Sequence, residues 1–273
     1  MASPQCIKVN DVELAYTDEG SGEPLVFVHG ALGDYRSWER ISPAYTPRFR
    51  VISYSLRGHF PATQPDDRFA TAQDHAGDLV GLIEALRLGR AHVVGQSFGG
   101  AVALVAAWQR PELVNRLVLA EPSLFSLLSG MPEGPALVAE FLAGADGVLA
   151  RLDAGEQRRA VEEFIDAVIA PGFFAKLPAD VQARMLDNAH TLAPVLRTRR
   201  HVAPFRPEHA QQVRTPTLLL GGEWSRPIFL QTLAQLQWHL PDAHTDILPR
   251  TTHALSLENP DAFNTAVRGF LEA

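Results

Sequence analysis

Four polar residues that could carry out chemistry on a carbonyl group stand where apolar runs of the sequence end. Ser97 lies in the sequence Gly95-Gln96-Ser97-Phe98-Gly99, and His29, Glu121 and His253 each follow a different apolar run. A serine hydroxyl is a weak nucleophile at neutral pH, but a histidine can accept its proton and a carboxylate can stabilise the resulting imidazolium. These residue types therefore predict nucleophilic attack by a serine.

The sequence around Ser97 predicts a very tight turn from a strand into a helix. A serine in such a turn has strained backbone geometry, with its hydroxyl projecting above the edge of the sheet. The flanking residues must be small because strand and helix approach each other closely. The N–H group of Phe98, at the start of the helix, would then face a developing negative charge.

Alternating strand and helix patterns must position these residues. Strands are predicted at residues 7–9, 12–16, 25–28, 49–54, 91–94, 114–120, 217–220 and 244–248. Helices are predicted at residues 34–44, 71–88, 101–108, 135–143, 155–169, 179–192, 227–240 and 261–271. This alternation predicts an α/β fold with a mostly parallel sheet, in which ligands lie at the carboxyl ends of the strands.

Composition excludes several classes of protein. The chain has 273 residues, of which 46% are hydrophobic and 20% charged, as in soluble globular proteins. Its net charge of −7 predicts neither a nucleic-acid nor an anionic-membrane partner. A single cysteine, Cys6, excludes an intrachain disulfide. Because no signal peptide and no membrane-spanning run is evident, we expect a cytoplasmic protein.

With these motifs in place, the sequence resembles the α/β-hydrolase fold family. The resemblance rests on His29-Gly30, the Gly95–Gly99 sequence, and His253 followed by Glu258-Asn259-Pro260 and Phe263. It implies an eight-stranded, mostly parallel sheet flanked by helices, with an inserted helical cap over the active site. The implied core domain covers residues 1–121 and 209–273, and the cap covers residues 122–208.

The resemblance also implies a role for each site residue. Ser97 would be the nucleophile, and His253 the general base and then the general acid. The N–H groups of Ala31 and Phe98 would form the oxyanion hole. We expect His29 to shape the oxyanion loop through hydrogen bonds rather than to carry a proton.

The acidic member of the triad departs from the usual family pattern. Family enzymes usually have an aspartate in a Gly-Glu-x-Asp context after the next-to-last strand, whereas this chain has Gly222-Glu223-Trp224-Ser225. A serine cannot hold a negative charge against an imidazolium. Some branches, such as haloalkane dehalogenases, place their acid after the strand that follows the nucleophile, where this chain has Glu121. We therefore expect a Ser97–His253–Glu121 triad, with Glu223 as an alternative acid.

A serine at the nucleophile position also limits the types of reaction that the site could catalyse. The dehalogenase and epoxide hydrolase branches have aspartate there, so serine favours acyl chemistry. We expect a cofactor-independent hydrolase that cleaves a small, fairly apolar carboxylic ester or lactone through an acyl-enzyme. A carbon–carbon bond hydrolase, a lyase, a perhydrolase and a small-molecule receptor on the same fold are the alternatives, and the oligomeric state is open.

Five further residues could line the substrate pocket. They are His29, His59, Phe125, Trp224 and Leu255. Plain core packing explains the aromatic and leucine side chains equally well. Because the remaining histidines lack metal-ligand spacing, and no glycine-rich phosphate loop is present, we expect neither a metal nor a nucleotide cofactor.

Overall fold

Eight strands form one twisted sheet across the residues that the computed structural model describes, which are 3–64, 71–198 and 205–273. The strands are β1 Gln5–Val9, β2 Val12–Glu19, β3 Glu23–Val28, β4 Phe49–Tyr54, β5 Ala91–Gln96, β6 Val114–Ala120, β7 Thr217–Gly222 and β8 Ala243–Leu248. Their order is β1-β2-β4-β3-β5-β6-β7-β8. Strand β2 pairs antiparallel with β1 and β4, and the other pairs are parallel. The predicted α/β fold with an eight-stranded, mostly parallel sheet is confirmed.

Helices pack on both faces of this sheet, and further helices form a segment between β6 and β7. The helices are α1 Ala72–Ala85, α2 Phe98–Gln109, α3 Gly134–Asp153, α4 Gln157–Val168, α5 Phe173–Lys176, α6 Ala179–Asp187, α7 Leu192–Thr198, α8 Pro207–Ala210, α9 Pro227–His239, α10 Leu255–Glu258 and α11 Pro260–Leu271. None of the described helices combines the length and the apolar character that crossing a bilayer requires.

The apolar run of β3 illustrates why the central strands have no polar side. Val26 and Val28 pack in one apolar cluster with helices α1 and α2. Leu25 and Phe27 point to the other face and pack with α11. Because successive side chains of a strand alternate between faces, a strand covered on both sides must be apolar throughout. This arrangement leaves the carboxyl ends of the strands as the place for polar chemistry.

A helical segment separates β6 from β7, and we call residues 125–198 the inserted helices. Helix α4 has buried apolar residues at positions 160, 161, 164, 165 and 168, which form one face of a helix. That face packs in a cluster that also includes Leu32, Phe229 and Ala254 from outside the segment. The inserted helices therefore pack directly on loops at the carboxyl edge of the sheet. The cap boundaries at residues 122 and 208 stay a prediction.

The helix predicted between Asp34 and Ala44 is shorter than expected. The chain forms two short 3-10 helices there, Tyr35–Trp38 and Ser42–Ala44. Asp34 does cap the first one, as the sequence predicted. Pro43 lies in the second helix and has no N–H group, so a continuous helix would lose a hydrogen bond at that point.

Candidate active site

Ser97 occupies the turn between β5 and α2 in a strained backbone conformation. Its φ of 54° and ψ of −117° lie in a region that residues other than glycine rarely adopt. The N–H of Ser97 donates to the carbonyl of Ala120 at 2.9 Å, and its carbonyl accepts from Ala101 and Ser123 at 3.1 Å each. Hydrogen bonds to β6, to α2 and to the loop after β6 thus hold the strained serine in place.

The glycines around Ser97 are required by close backbone contacts. A Cβ atom on Gly95 would lie 2.4 Å from the carbonyl oxygen of Gly99. A Cβ atom on Gly99 would lie 2.3 Å from the carbonyl oxygen of His29. Since real Cβ atoms essentially never make such short contacts, a larger residue at either position would force the strand and helix apart.

Glu121 and His253 form a buried pair. Nδ1 of His253 lies 2.6 Å from Oε2 of Glu121, a residue with no solvent-exposed surface. Oε1 of Glu121 accepts a second hydrogen bond, from the N–H of Gly222 at 2.7 Å. Both carboxylate oxygens therefore have donors, as a buried charge requires. The arrangement leaves Nε2 of His253 available for exchange of a proton.

The alternative acid is engaged elsewhere. Glu223 is exposed, and its Oε2 accepts from the N–H of Arg250 at 2.8 Å. Ser225, at the position where the family resemblance implies the usual acid, is buried, and its hydroxyl has no hydrogen-bond partner among the residues that the structure describes. The geometry thus brings Glu121, and not Glu223 or Ser225, to the imidazole of His253.

Two residues that the sequence did not single out fix the position of His253. Nε2 of Gln96 donates to the carbonyl of His253 at 2.9 Å. The ring of Phe229 stacks on the imidazole, with centroids 3.8 Å apart and planes inclined by 19°. An aromatic ring stacked at this distance holds the plane of the imidazole. Gln96 is next to Ser97 in the sequence, so its place in the site could have been predicted. Nothing in the sequence distinguishes Phe229 from a core residue.

Ser97 and His253 line the same cavity of about 180 Å³. Ala31 and Gln96 border it from the sheet side. The inserted helices contribute mainly apolar side chains, namely Phe164, Ile165, Val168, Ile169, Val181 and Met185. Among the described residues the Ser97 hydroxyl has no hydrogen-bond partner, and in free enzymes the bond from nucleophile to base is often long. The cavity lies between the strand ends and the inserted helices.

Two backbone N–H groups beside Ser97 are free to bind an anion. Neither the N–H of Ala31 nor that of Phe98 has an acceptor among the described residues. Gly30 comes so close that a Cβ on it would lie 3.2 Å from Cβ of Ser97. The loop closes with a hydrogen bond from the N–H of Gly33 to the carbonyl of Gly30 at 3.1 Å. Two unpaired N–H donors beside a serine are the groups that can bind the negative oxygen developing on a carbonyl carbon under attack.

His29 is a structural residue in this arrangement. Its Nε2 accepts from the N–H of Leu56 at 2.9 Å, so Nδ1 carries the hydrogen and lies 2.8 Å from the carbonyl oxygen of Gly30. Burial lowers the pKa of His29 to about 4, which keeps the ring neutral. The side chain lines neither of the two cavities beside Ser97, and its role as a pocket residue stays a prediction.

His59 also lies away from the cavities. Its Nδ1 is 3.1 Å from the carbonyl oxygen of Arg57, and its ring centroid is 4.8 Å from that of His29. Burial, reinforced by His29 and His75, lowers the pKa of His59 well below the usual value. His59 lines neither of the two cavities, so its role as a pocket residue stays a prediction. Within the described part of the chain, no three side chains of metal-binding type come together as a metal site.

The other three predicted pocket residues occupy different environments. Phe125 lines a second, larger cavity of about 490 Å³, together with Phe98. Trp224 lines neither cavity and is 59% exposed, because the loop after β7 turns it towards solvent. Leu255 is fully buried in the core beneath the site, and Leu257 lines the smaller cavity instead. Residues two apart on a helix point about 200° apart, which explains why Leu257 and not Leu255 faces this cavity.

Comparison with known proteins agrees with this architecture. The model of the alpha/beta hydrolase family matches residues 25–266. A 2-hydroxy-6-oxo-2,4-heptadienoate hydrolase of Pseudomonas putida is 28% identical over 96% of this chain and 94% of its own. An sn-1-specific diacylglycerol lipase of Danio rerio is 25% identical over 94% of this chain and 81% of its own. The crystal structure of a hydrolase from Pseudomonas aeruginosa superimposes with a TM-score of 0.82 at 24% identity, over 99% of this chain and 98% of that one.

Proposed function

Because the chain belongs to the alpha/beta hydrolase family, we propose that it is a serine hydrolase that cleaves a small carboxylic ester or lactone through an acyl-enzyme. The observation that carries the proposal is the 2.6 Å contact between Glu121 and Nδ1 of His253. It orients the imidazole, which lines one cavity with Ser97. A nucleophile, a base and an acid in this relation match the requirements of acyl transfer.

The steps of the reaction follow from these positions. Oγ of Ser97 attacks the carbonyl carbon while its proton passes to Nε2 of His253, and Glu121 stabilises the imidazolium. The N–H groups of Ala31 and Phe98 stabilise the tetrahedral oxyanion. His253 then gives its proton to the departing alkoxide. A water molecule, deprotonated by His253, cleaves the ester on Ser97 and releases the acid.

The dimensions and lining of the cavity support a small and fairly apolar substrate. Its volume of about 180 Å³ is less than the roughly 300 Å³ at which sites for drug-sized ligands begin. Apolar side chains of α4 and α6 line the cavity, and they suit an apolar acyl or alcohol group of the substrate.

A carbon–carbon bond hydrolase is the second candidate. The Pseudomonas putida relative is named for a substrate that contains a ketone and no ester, so its hydrolysis breaks a carbon–carbon bond. That substrate also carries a carboxylate. Arg40 lines the cavity of this chain, is exposed over half of its side chain, and has a contact of 3.4 Å with Asp180. Its guanidinium would be available to a substrate carboxylate.

Labelling with a fluorophosphonate tests whether Ser97 is activated. We expect the probe to modify Ser97, with the site located by mass spectrometry of the labelled peptide. Ser97→Ala should abolish both labelling and turnover. A folded wild-type protein that takes up no label would contradict the proposal and favour a small-molecule receptor, for which ligand screening by thermal shift is the next measurement.

A substrate panel separates the two candidate reactions. Short p-nitrophenyl esters and lactones should be turned over with a higher kcat/KM than a 2-hydroxy-6-oxo-dienoate. The reverse preference would replace ester cleavage by carbon–carbon bond cleavage. Adding hydrogen peroxide and a cyanohydrin to the panel detects perhydrolase and lyase activities of the same site.

A further inference from the structure

A fully buried asparagine connects the inserted helices to the loops beneath them. Asn188 follows α6 and has no exposed surface. Its Nδ2 donates to Oδ2 of Asp34 at 2.8 Å and to the carbonyl of Arg184 at 3.0 Å. Its Oδ1 accepts from the N–H of Phe60 at 2.7 Å. Both amide hydrogens and the amide oxygen are therefore in use.

Asp34 connects Asn188 to the loop that carries the Ala31 N–H. Asp34 directly follows Gly33, whose N–H closes the turn with Gly30. The Asp34 carboxylate also accepts from the backbone N–H, Nε and Nη2 of Arg36, at 2.7 to 2.9 Å. Although burial raises the pKa of Asp34, the hydrogen bonds from Arg36 and Asn188 lower it overall, so the carboxylate stays charged. A buried carboxylate with four donors is a rigid end point for the loop.

The two ends of this loop are held by different parts of the molecule. At its beginning, His29 is fixed to Leu56 of the core. At its end, Asp34 is bonded to Asn188 of the inserted helices. Between them, Leu32 has a φ of 62°, and its side chain is buried in the apolar cluster of the inserted helices. The conformation at Ala31 therefore depends on contacts with the inserted helices.

We propose that Asn188 is a positioning residue for the oxyanion hole: acting through Asp34, it sets the orientation of the Ala31 N–H group. The inference rests on the proposed function, since it assumes an oxyanion on a substrate attacked by Ser97. An asparagine suits the position because it donates to a carboxylate and accepts from an N–H at once. An aspartate would place two carboxylates in contact, and an alanine would leave Asp34 and the Phe60 N–H each short of a partner.

The test compares the kinetics of Asn188→Ala with those of the wild type on p-nitrophenyl acetate. Complete loss of an oxyanion donor costs about 10²- to 10³-fold in kcat, so a displaced donor should cost roughly 10- to 100-fold. KM should stay within about threefold, because the effect acts on the transition state. The affinity for phenylboronic acid should fall in parallel with kcat/KM, since its tetrahedral anionic adduct on Ser97 needs the same N–H groups.

Asp180→Asn is the matched control. Asp180 lies on α6 and pairs across to Arg40, so its loss also weakens a contact between the inserted helices and the core. It does not touch the oxyanion loop, and kcat should stay close to that of the wild type. Asp34→Asn weakens the same hydrogen bond between Asp34 and Asn188 by changing the residue in the loop. It should lower kcat as Asn188→Ala does. All variants are assayed at a temperature at which circular dichroism shows them folded.

The outcomes separate this inference from the proposed function. If wild-type Ser97 takes no fluorophosphonate label, the proposed function is wrong, and so is the proposed role of Asn188. If the wild type is labelled and active while folded Asn188→Ala and Asp34→Asn keep their kcat, the inference alone is wrong. A rise in KM with unchanged kcat would also overturn it, because Asn188 would then only shape the cavity.

Discussion

Nδ1 of His253 lies 2.6 Å from Oε2 of Glu121, a residue 132 positions earlier in the chain. Glu121 directly follows β6, whereas His253 follows β8, and strand β7 lies between them. The N–H of Gly222, at the end of β7, donates to the other oxygen of the same carboxylate. Three neighbouring strand ends thus place one acid against one base.

Glu121→Gln should lower kcat by about 10³- to 10⁴-fold. The glutamine keeps the shape of the side chain but cannot stabilise the imidazolium, and its amide favours the wrong tautomer of His253. Steady-state kinetics on the best ester of the panel measure the loss, and circular dichroism establishes that the variant is folded.

Glu223→Gln provides the comparison for that variant. The Glu223 carboxylate is exposed and accepts a hydrogen bond from the N–H of Arg250, so its loss should leave kcat within about threefold of the wild type. A severe loss in Glu223→Gln, together with an active Glu121→Gln, would show that the acid has been assigned to the wrong residue.

The buried histidines should make the fold sensitive to acid. Burial lowers the pKa of His75 to about 3, whereas an unfolded histidine has a pKa of about 6.5. Between these values the unfolded chain binds a proton that the folded chain does not, so stability is complete above about pH 6.5 and falls as the pH decreases. For one such histidine, the loss at pH 5 is about 2 kcal/mol.

Replacing His75 should remove its share of this acid sensitivity. The free energy of unfolding, measured with urea at pH 7.5 and pH 5, should decrease by about 2 kcal/mol less in His75→Leu than in the wild type. His244→Gln, at an exposed histidine of β8, should behave as the wild type does. Equal decreases in the wild type and in His75→Leu would show that His75 is already protonated in the folded protein at pH 5.

Loss of one partner of a buried ion pair beneath the loop after β4 should lower the stability of the fold. Nε and Nη2 of Arg57 each donate to one oxygen of Asp78 at 2.8 Å, and both side chains are almost fully buried. Asp78→Leu should destabilise the protein by about 3 to 5 kcal/mol in urea unfolding, because it leaves the Arg57 charge without its buried partner.

A double-mutant cycle distinguishes the cost of an unpaired charge from lost packing. Arg57→Met combined with Asp78→Leu should recover much of the loss, since no buried charge is left unpaired and Asp11, the other partner of Arg57, is exposed. Glu112→Gln, which removes an exposed partner of Arg110, should leave the free energy of unfolding nearly unchanged. If the double variant were as unstable as Asp78→Leu alone, packing rather than charge would explain the effect.

The site residues whose positions follow most directly from the sequence are those at the ends of strands. Ser97 and Glu121 follow apolar runs that form the buried strands β5 and β6, and parallel strands bring their carboxyl ends to one edge. Their meeting at one site therefore follows from local pattern and sheet geometry. The chemistry of serine, histidine and carboxylate then limits what that site can do.

The positions that could not be predicted from the sequence depend on how loops and short helices turn. Trp224 and Leu255 are near the site in sequence, but one faces solvent and the other faces the core. The apolar stripe of α4 was visible, whereas the surface that it covers is set by tertiary packing. The contact of Asn188 with Asp34 joins residues 154 positions apart, and neither residue lies in a motif.

The position of Glu121 has a consequence for how this scaffold can be altered. Ser97 and Glu121 follow Gln96 and Ala120, which are paired across neighbouring strands β5 and β6. The loop beyond Gly222 holds no member of the proposed triad and exposes Trp224. Segments inserted beside Trp224 would change the surface at that edge of the molecule. The pairing of β5 with β6 would meanwhile keep Ser97 and Glu121 in their present positions.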